Sequence, residues 1–107
     1  MISKKIYRCI NLLFFHLLKD IEEAAKWYNE QHVGLGKRFV KSVRSKVNRI
    51  LINPQLYVIR YSIVHTALVD VFPFMIHFII DENNKTLIFT AVLHTSQNPD
   101  LWIERKQ

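Results

Sequence analysis

The sequence has few of the residues that build stapled, metal-bound or membrane-spanning proteins. Cys9 is the only cysteine among 107 residues, so the chain forms no internal disulfide and no cysteine-based zinc site. No apolar run reaches the roughly 20 residues that a membrane-spanning helix requires. This composition is typical of a protein of the reducing cytoplasm, and we expect a cytoplasmic protein that does not contact a membrane.

Glycine, proline and acidic residues are also scarce. The chain has two Gly and three Pro, and half of its residues are apolar, which is the composition of a folded domain and not of a linker. Its length fits one core, so we expect a single domain over residues 1–107. Nine acidic residues against 15 Lys and Arg leave a formal net charge of +6. This excess favours association with nucleic acid or with an acidic protein, but a basic surface that only keeps the protein soluble explains the charge equally well.

The start of the chain is apolar but ambiguous. Residues 6–15 are rich in β-branched and aromatic types, which predicts a first strand. Basic residues precede this stretch as they do in a secretory signal, but Asn11 and His16 interrupt it and no small-residue cleavage site follows. We therefore expect a strand and not an exported leader.

Two stretches in the first half have the three-and-four spacing of a buried helix face. In the first stretch the apolar positions are Leu17, Ile21, Ala24, Ala25 and Tyr28. In the second they are Phe39, Val43, Val47, Ile50 and Leu51. The spacing predicts one helix from Leu17 to about Gln31 and another that ends at Asn53-Pro54. The short connection through "GLG" is assigned to a turn, which makes the two helices antiparallel neighbours.

The second half of the chain is dense in Val, Ile, Phe, Tyr and Thr, which favours strands. The stretches are "YVIRYSI", "HTALVDVF", "FMIHFIID" and "TLIFTAVLH", and residues 81–85 have the composition of a hairpin turn. We expect three antiparallel strands, with Phe72-Pro73 at an edge or a bulge of the second. The predicted fold is α+β, with an N-terminal strand and a helical hairpin packed on an antiparallel sheet.

The residues best suited to chemistry form a basic set in this strand-rich half: Arg60, His65, His77, His94 and Arg105. They stand on or just after strands that can converge on one sheet face. Such a set binds phosphate and stabilises the added negative charge of a phosphorane, so it suits metal-independent cleavage of RNA, whose 2′-hydroxyl is a built-in nucleophile. The histidines lack a metal-ligand spacing such as HExxH, so we expect no metal and no cofactor.

Each of these features also has a purely structural explanation. His77 lies in an apolar run and is better explained as an ordinary strand histidine, and Arg60 can simply pair with a surface acid. Trp102 is best explained as an anchor that pins the tail. Lys41 and Arg44 belong to a basic helix face, which is either solvated or a landing surface for a nucleic-acid backbone.

Four stretches of the chain resemble the RelE/ParE superfamily of bacterial toxins, the toxin halves of type II toxin–antitoxin pairs. They are "DIEEAAKWYNEQHVGLGKRFVKSV", "NPQLYVIRY", "FPFMIHFIID" and "AVLHTSQNPDLWIER", in the order of the family. The resemblance implies a helical hairpin on a curved antiparallel sheet. It also implies a cognate antitoxin that wraps the toxin, and the positive charge of this chain indicates that the antitoxin is acidic. We expect oligomers only through that complex.

The resemblance further implies roles for single residues. Arg60 matches the family's arginine at the start of the central strands and would hold the phosphate. His94 and Arg105 match the ends of the closing signature, where they would transfer a proton and assist electrostatically. His65 and Gln97, which would contribute to substrate binding with Lys41 and Arg44, stand where many relatives carry arginine.

The family divides between two activities, and the resemblance does not separate them. The leading hypothesis is ribosome-dependent cleavage of messenger RNA, with the ribosome and mRNA as partners. The alternative is a poison of DNA gyrase that catalyses nothing itself. The missing arginines at His65 and Gln97 also leave open a degenerate toxin that retains only antitoxin binding.

Overall fold

The computed structural model describes residues 8–10 and 14–96 of the chain, with side chains for residues 17–96. Within these ranges a pair of helices covers one face of a sheet. Neither helix is long and apolar enough to cross a membrane. Gln97, Trp102 and Arg105, to which the sequence assigns roles, lie outside the described residues.

Helix α1 (Phe14–Gln31) begins earlier than the sequence predicts. Phe14 and Phe15 belong to this helix, so the predicted extension of the first strand to Phe15 is wrong. A short run of bulky apolar residues fits a buried helix end as well as it fits a strand, and periodicity cannot separate the two over so few positions. The backbone of Arg8–Ile10, β1, runs parallel to β5 (Thr86–His94), the last of the described strands along the chain.

Helix α2 (Leu35–Ile52) follows α1 after a tight connection, as the predicted helical hairpin requires. Gly34 has a φ of 90°, in the left-handed region that glycine adopts at little cost. Its N–H donates to Asn29 Oδ1 at 2.8 Å, and the N–H of Leu35 donates to the carbonyl of His32 at 3.0 Å. At the other end the helix stops before Pro54, as predicted, and a short 3-10 helix (Pro54–Leu56) follows.

Gly36 has a different function from Gly34, which the prediction of a simple turn missed. It is buried in the first turn of α2, where the helix crosses α1. A Cβ atom placed there would lie 2.4 Å from the carbonyl oxygen of Ala25 and 3.3 Å from Asn29 Cβ. Glycine at this position therefore lets the two helix backbones touch.

Up to residue 96, where the described part of the chain ends, four strands follow the helices: β2 (Ile59–Tyr61), β3 (Val64–Leu68), β4 (Phe74–Asp81) and β5. Each pairs antiparallel with the next, and β1 lies on the outer side of β5. The predicted α+β fold, a helical hairpin on an antiparallel sheet, is confirmed. The strands predicted over residues 74–81 and 86–94 coincide with β4 and β5.

The prediction of three strands is wrong, because β3 and β4 are separate strands and Phe72-Pro73 lies in the turn between them. Val71 in this turn has a φ of 75°, which takes the backbone out of the extended region. Two short hydrogen bonds close the turn, from Val69 N–H to the carbonyl of Phe74 and from Phe74 N–H to that of Phe72, each 2.8 Å long. Pro73 has no N–H to continue a ladder.

The turn between β4 and β5 is the predicted hairpin connection over residues 81–85. Asn84 donates to Asp81 through its backbone N–H, at 3.3 Å, and through its side chain, at 2.8 Å. These hydrogen bonds lower the pKa of the Asp81 carboxyl, because they favour its ionised form. Lys85, with a φ of 51°, completes the reversal.

The helices pack on the sheet through a cluster of aromatic rings. The ring centroid of Tyr28 on α1 lies 4.8 Å from that of Phe72, and the ring of Phe39 on α2 lies 4.9 Å from Phe74. Edge-to-face contacts at these separations add about 0.5–1.5 kcal/mol per pair to the free energy of burial. The same core contains the buried residues Ile76, Phe78, Leu87 and Phe89.

A buried carboxylate also ties α1 to the sheet. Asp20 is 7 % exposed, and its Oδ2 accepts a hydrogen bond from the backbone N–H of Val92 at 3.1 Å. β1 pairs only with residues 86–88 of β5, so the N–H of Val92 has no partner in β1. The carboxylate of Asp20 satisfies this donor.

Candidate functional site

The sheet has two chemically different faces, and the strand register assigns each candidate residue to one of them. Directly opposed residues of antiparallel strands share a face. His65 is opposite Phe78, and His94 is opposite Phe74, so both histidines lie on the face that packs on the helices, the helix face. His77 is opposite Thr66 and lies on the other side, the far face.

A polar cluster occupies the far face beside strand β2. The Nε of Arg60 lies 3.4 Å from the Oγ1 of Thr66, and the hydroxyl of Tyr61 lies 3.1 Å from the Nδ1 of His77. The hydroxyl of Thr90 donates to the carbonyl oxygen of His77 at 3.3 Å. The arginine is exposed, whereas His77 is fully buried, as the structural explanation of this histidine predicted.

The sequence did not mark Tyr61 or Thr66 as functional. Tyr61 is next to Arg60 in the chain, but its contact with His77 spans β3 and depends on the register of three strands. Burial raises the pKa of the Tyr61 hydroxyl to about 12. At neutral pH this hydroxyl is therefore a hydrogen-bond donor or a weak acid, and not a base.

His65 is held inside the structure by two contacts. Its Nδ1 donates a hydrogen bond to the carbonyl oxygen of Tyr57 at 2.7 Å, because a carbonyl can only accept. Its ring stacks on Phe78 with the centroids 5.3 Å apart and the planes 18° apart. These contacts fix the ring between the 3-10 helix region and the core.

His94 lies at the end of β5, on the helix face. Its Nδ1 accepts a hydrogen bond of 3.0 Å from the backbone N–H of Ser96 and lies 2.7 Å from the Ser96 hydroxyl. Its ring meets Phe74 edge-on at 5.2 Å. Since Nδ1 is an acceptor here, the neutral ring carries its proton on Nε2.

The structure does not bring Arg60 and His94 together, which corrects the expectation that the basic set converges on one face. Arg60 belongs to the far face, and His94 belongs to the helix face. From β2 to β5 there are three strand spacings, or about 14 Å at the usual separation of paired strands. One phosphate group cannot contact both side chains across that distance and through the sheet.

A long groove runs between α1 and α2 on the outer surface of the hairpin, with a volume of about 890 Å³. Its floor contains Ala25, Gly36 and Val40. The cations along its rim are Lys26, Lys37, Lys41 and Arg44. The groove therefore combines apolar surface with unbalanced positive charge, and it holds both helix residues that the sequence assigned to substrate binding.

Among residues 17–96, no three His, Cys, Asp or Glu side chains are grouped closely enough to hold a metal ion. The candidate groups in this range are therefore an exposed arginine in a polar cluster, two histidines held by structural contacts and a basic groove.

Comparison with models of known protein families gives a match. A protein-family model described as "ParE toxin of type II toxin-antitoxin system, parDE" matches residues 17–99. The match includes α1 from its fourth residue onward, the whole of α2, the four antiparallel strands and the positions of Arg60 and His94, whereas Arg105 lies beyond it. No curated protein is similar enough to the chain to count as a relative.

Proposed function

The chain belongs to the ParE toxin family of type II toxin–antitoxin systems, and on this basis we propose that it is a toxin that inhibits growth by binding its target. The target we propose is DNA gyrase, which the toxin poisons without catalysing a reaction. A cognate antitoxin, which membership of the family implies, neutralises it. The observation that carries this proposal is the separation of Arg60 from His94.

Acid–base cleavage of RNA requires a proton-transfer group within hydrogen-bond reach of the reacting oxygens. It also requires a cation on the same phosphate to stabilise the developing charge. Arg60 and His94 lie on opposite faces of the sheet and about 14 Å apart across it. His94 accepts a hydrogen bond from Ser96 and packs against Phe74, and these contacts stabilise the end of β5. This geometry favours binding over catalysis.

The surface around Arg60 has the composition of a protein-binding site. Large aliphatic side chains are exposed next to it in the sequence, between 56 % and 71 %: Leu56, Val58, Ile59 and Ile63. We call these four residues the β2 patch. Exposed apolar patches mark sites of interaction, and arginine is enriched among the residues that contribute most of the binding free energy at protein interfaces. The β2 patch and Arg60 together are the target-binding surface we propose.

We assign the groove between the helices to the antitoxin. Its apolar floor fits one side of an amphipathic segment, and the four cations of its rim fit acidic residues flanking that side. Electrostatic steering by these cations should make association fast and sensitive to salt. Such a segment would also hide the positive charge that the free toxin must keep hydrated.

Messenger RNA cleavage stays as a second candidate, because the far face places a cation beside a coupled Tyr–His pair. Arg60 would then contact the phosphate while the RNA 2′-hydroxyl attacks the phosphorus and loses its proton to water. The bond to the 5′-oxygen would break, and the Tyr61 hydroxyl would donate a proton to this leaving oxygen and regain one from water. The pKa of Tyr61, about 12, suits a proton donor better than a base.

Expression without the antitoxin distinguishes the two candidates. For a gyrase poison we expect DNA synthesis to fail before protein synthesis, with double-strand breaks in the chromosome, and we expect antitoxin co-expression to prevent both. Incorporation of labelled thymidine and methionine after induction measures the order. If protein synthesis fails first and ribosome-bound mRNA is cut, the binding proposal is wrong and the second candidate replaces it.

Arg60→Ala tests the surface. The side chain is exposed, so the variant should fold and should lose most of its toxicity. Lys19→Ala, which removes an exposed cation from α1, should retain it. Full toxicity of Arg60→Ala would remove Arg60 from the target-binding surface.

A chain that binds its antitoxin but arrests nothing would be a degenerate toxin. In that case Gln97→Arg should regain part of the toxicity, since it returns a cation that many relatives carry, whereas His65→Arg would break the contacts of this side chain with Tyr57 and Phe78.

A further inference from the structure

A second, smaller cavity lies between α2 and the turn that connects β3 to β4. Its volume is about 320 Å³, and Lys41 is the residue that it shares with the groove between the helices. Four polar residues of α2 line it: Arg38, Lys41, Ser42 and Ser45. Positions three, four and seven residues apart stand on one side of a helix, so these four side chains face the same space.

The charges around this cavity leave two cations available. Asp70, the one acid in its lining, already pairs with Lys46 at 3.4 Å and with Arg49 at 3.3 Å. Within residues 17–96, Arg38 and Lys41 form no ion pair. The cavity thus contains two unbalanced cations and two hydroxyl groups beside a carboxylate whose charge is already compensated.

The opposite wall is a tight and strained turn. Val71 holds a left-handed conformation, with a φ of 75°, although it is β-branched and 84 % exposed. Residues of this type rarely adopt such a conformation, and strained backbone is concentrated at functional sites. The hydrogen bonds between Val69, Phe72 and Phe74 fix the turn, so the wall is preformed.

We propose that this cavity binds a phosphate group. A tetrahedral anion offers several oxygens in different directions, and a guanidinium, an ammonium and two hydroxyls can donate to them at once. The volume exceeds that of the anion alone, which leaves room for the sugar of a nucleotide. Two sources share this chemistry, a free nucleotide or the backbone of a nucleic acid. The proposal does not depend on which target the toxin attacks.

Binding can be measured directly by NMR on the full-length protein labelled with ¹⁵N. Inorganic phosphate, thymidine monophosphate and a DNA hexamer are the probes, each added at constant ionic strength. We expect saturable shifts of the amide signals of residues 38–45 and 70–72 with all three probes. A hexamer that binds at least tenfold more tightly than the monophosphate through the same residues identifies the polymer as the source. Equal affinities identify a free nucleotide.

Matched charge variants separate a site from a generally basic surface. Arg38→Gln with Lys41→Gln removes two charges from the cavity, whereas Lys37→Gln with Arg44→Gln removes two charges from the same helix but outside it. We expect the first pair to lower the affinity for phosphate about tenfold or more, because each charge-assisted contact is lost, and the second pair to change it less than twofold.

Three results would overturn the proposal. The first is the absence of saturable shifts with every phosphate probe. The second is an equal loss of affinity in both double variants, which would mean unspecific attraction. The third is an acidic peptide that binds the same residues more tightly than the hexamer at the same ionic strength, which would make the cavity a protein contact.

Discussion

Gly36 is a residue whose importance comes from the atom it lacks. Alanine at this position would usually stabilise a helix by about 1 kcal/mol over glycine. Here the added Cβ would lie 2.4 Å from the carbonyl oxygen of Ala25. This oxygen belongs to the backbone, so no change of side-chain rotamer can relieve the clash. The helices would have to separate.

We predict that Gly36→Ala lowers the free energy of unfolding by about 1–2 kcal/mol, since overpacking outweighs helix propensity. Urea denaturation measures it. The control is Asn48→Ala on the exposed side of α2, which should be neutral or stabilising. A Gly36→Ala variant as stable as the native protein would mean that the hairpin is not tightly packed there.

Tyr61 makes the folded state less stable at alkaline pH. Its hydroxyl keeps its proton up to a pKa of about 12 in the folded state because it is partly buried. The unfolded chain loses that proton at about pH 10, so the folded state binds more protons between these values. Stability therefore falls as pH rises from about 10 to 12.

We predict that Tyr61→Phe flattens this alkaline loss. At neutral pH the same variant should cost about 1 kcal/mol, because the hydrogen bond to His77 is lost. Unfolding in urea from pH 8 to 11 measures both effects. The control is Tyr57→Phe, which removes a different hydroxyl and should still lose stability at alkaline pH. A Tyr61→Phe protein that loses as much stability at alkaline pH as the native protein would contradict the prediction.

At the scale of elements, the sequence predicts best where one period repeats over several turns. The helix ends at Gln31 and before Pro54 were correct, because the apolar spacing and a proline define them locally. The full lengths of β4 and β5 were also correct, because turn residues bound both runs. The predicted number of strands was wrong because the chain turns at Val71. Valine rarely adopts the left-handed conformation found there, so the sequence contained no sign of a turn.

The candidate site was predicted less well than the fold for a related reason. Which face a strand residue occupies depends on register, and one position of difference reverses it. His65 and Thr66 are adjacent in the chain, yet one stacks on Phe78 in the core and the other meets Arg60. Residue types identified Arg60 as an exposed cation, but only the pairing separates it from His94.

The turn between β3 and β4 stores strain that a substitution can release. We predict that Val71→Asn raises the free energy of unfolding by about 1 kcal/mol, because asparagine tolerates the left-handed conformation and the exposed valine buries little. The melting temperature should rise by about 4–8 °C.

Val33 provides the comparison, since it is 85 % exposed and has no positive φ. Val33→Asn should change the free energy of unfolding by less than about 0.5 kcal/mol. If both variants behave alike, the gain at Val71 comes from the polar side chain at the surface and not from relief of strain.

At the scale of the whole molecule, we propose that three surfaces each bind a different partner. The β2 patch with Arg60 faces the target, the groove between the helices faces the antitoxin, and the small cavity beside α2 receives phosphate. Lys41 lines both the groove and the cavity. An antitoxin segment that pairs with Lys41 would therefore compete with phosphate for it, so neutralisation should also weaken nucleotide binding.

The hydrogen bond from the Val92 N–H to Asp20 joins two residues that are 72 positions apart in the chain, so the ribosome adds Val92 long after Asp20. β5 is the last described strand of the chain, yet it lies under α1 and supplies several residues of the core. A nascent chain that has not yet released β5 has two helices without the surface they pack on, so it cannot complete the fold. Each copy of the chain can thus complete its fold only after β5 has left the ribosome. We expect chains whose translation stops before β5 to be inactive, because their two helices lack the surface that they pack on.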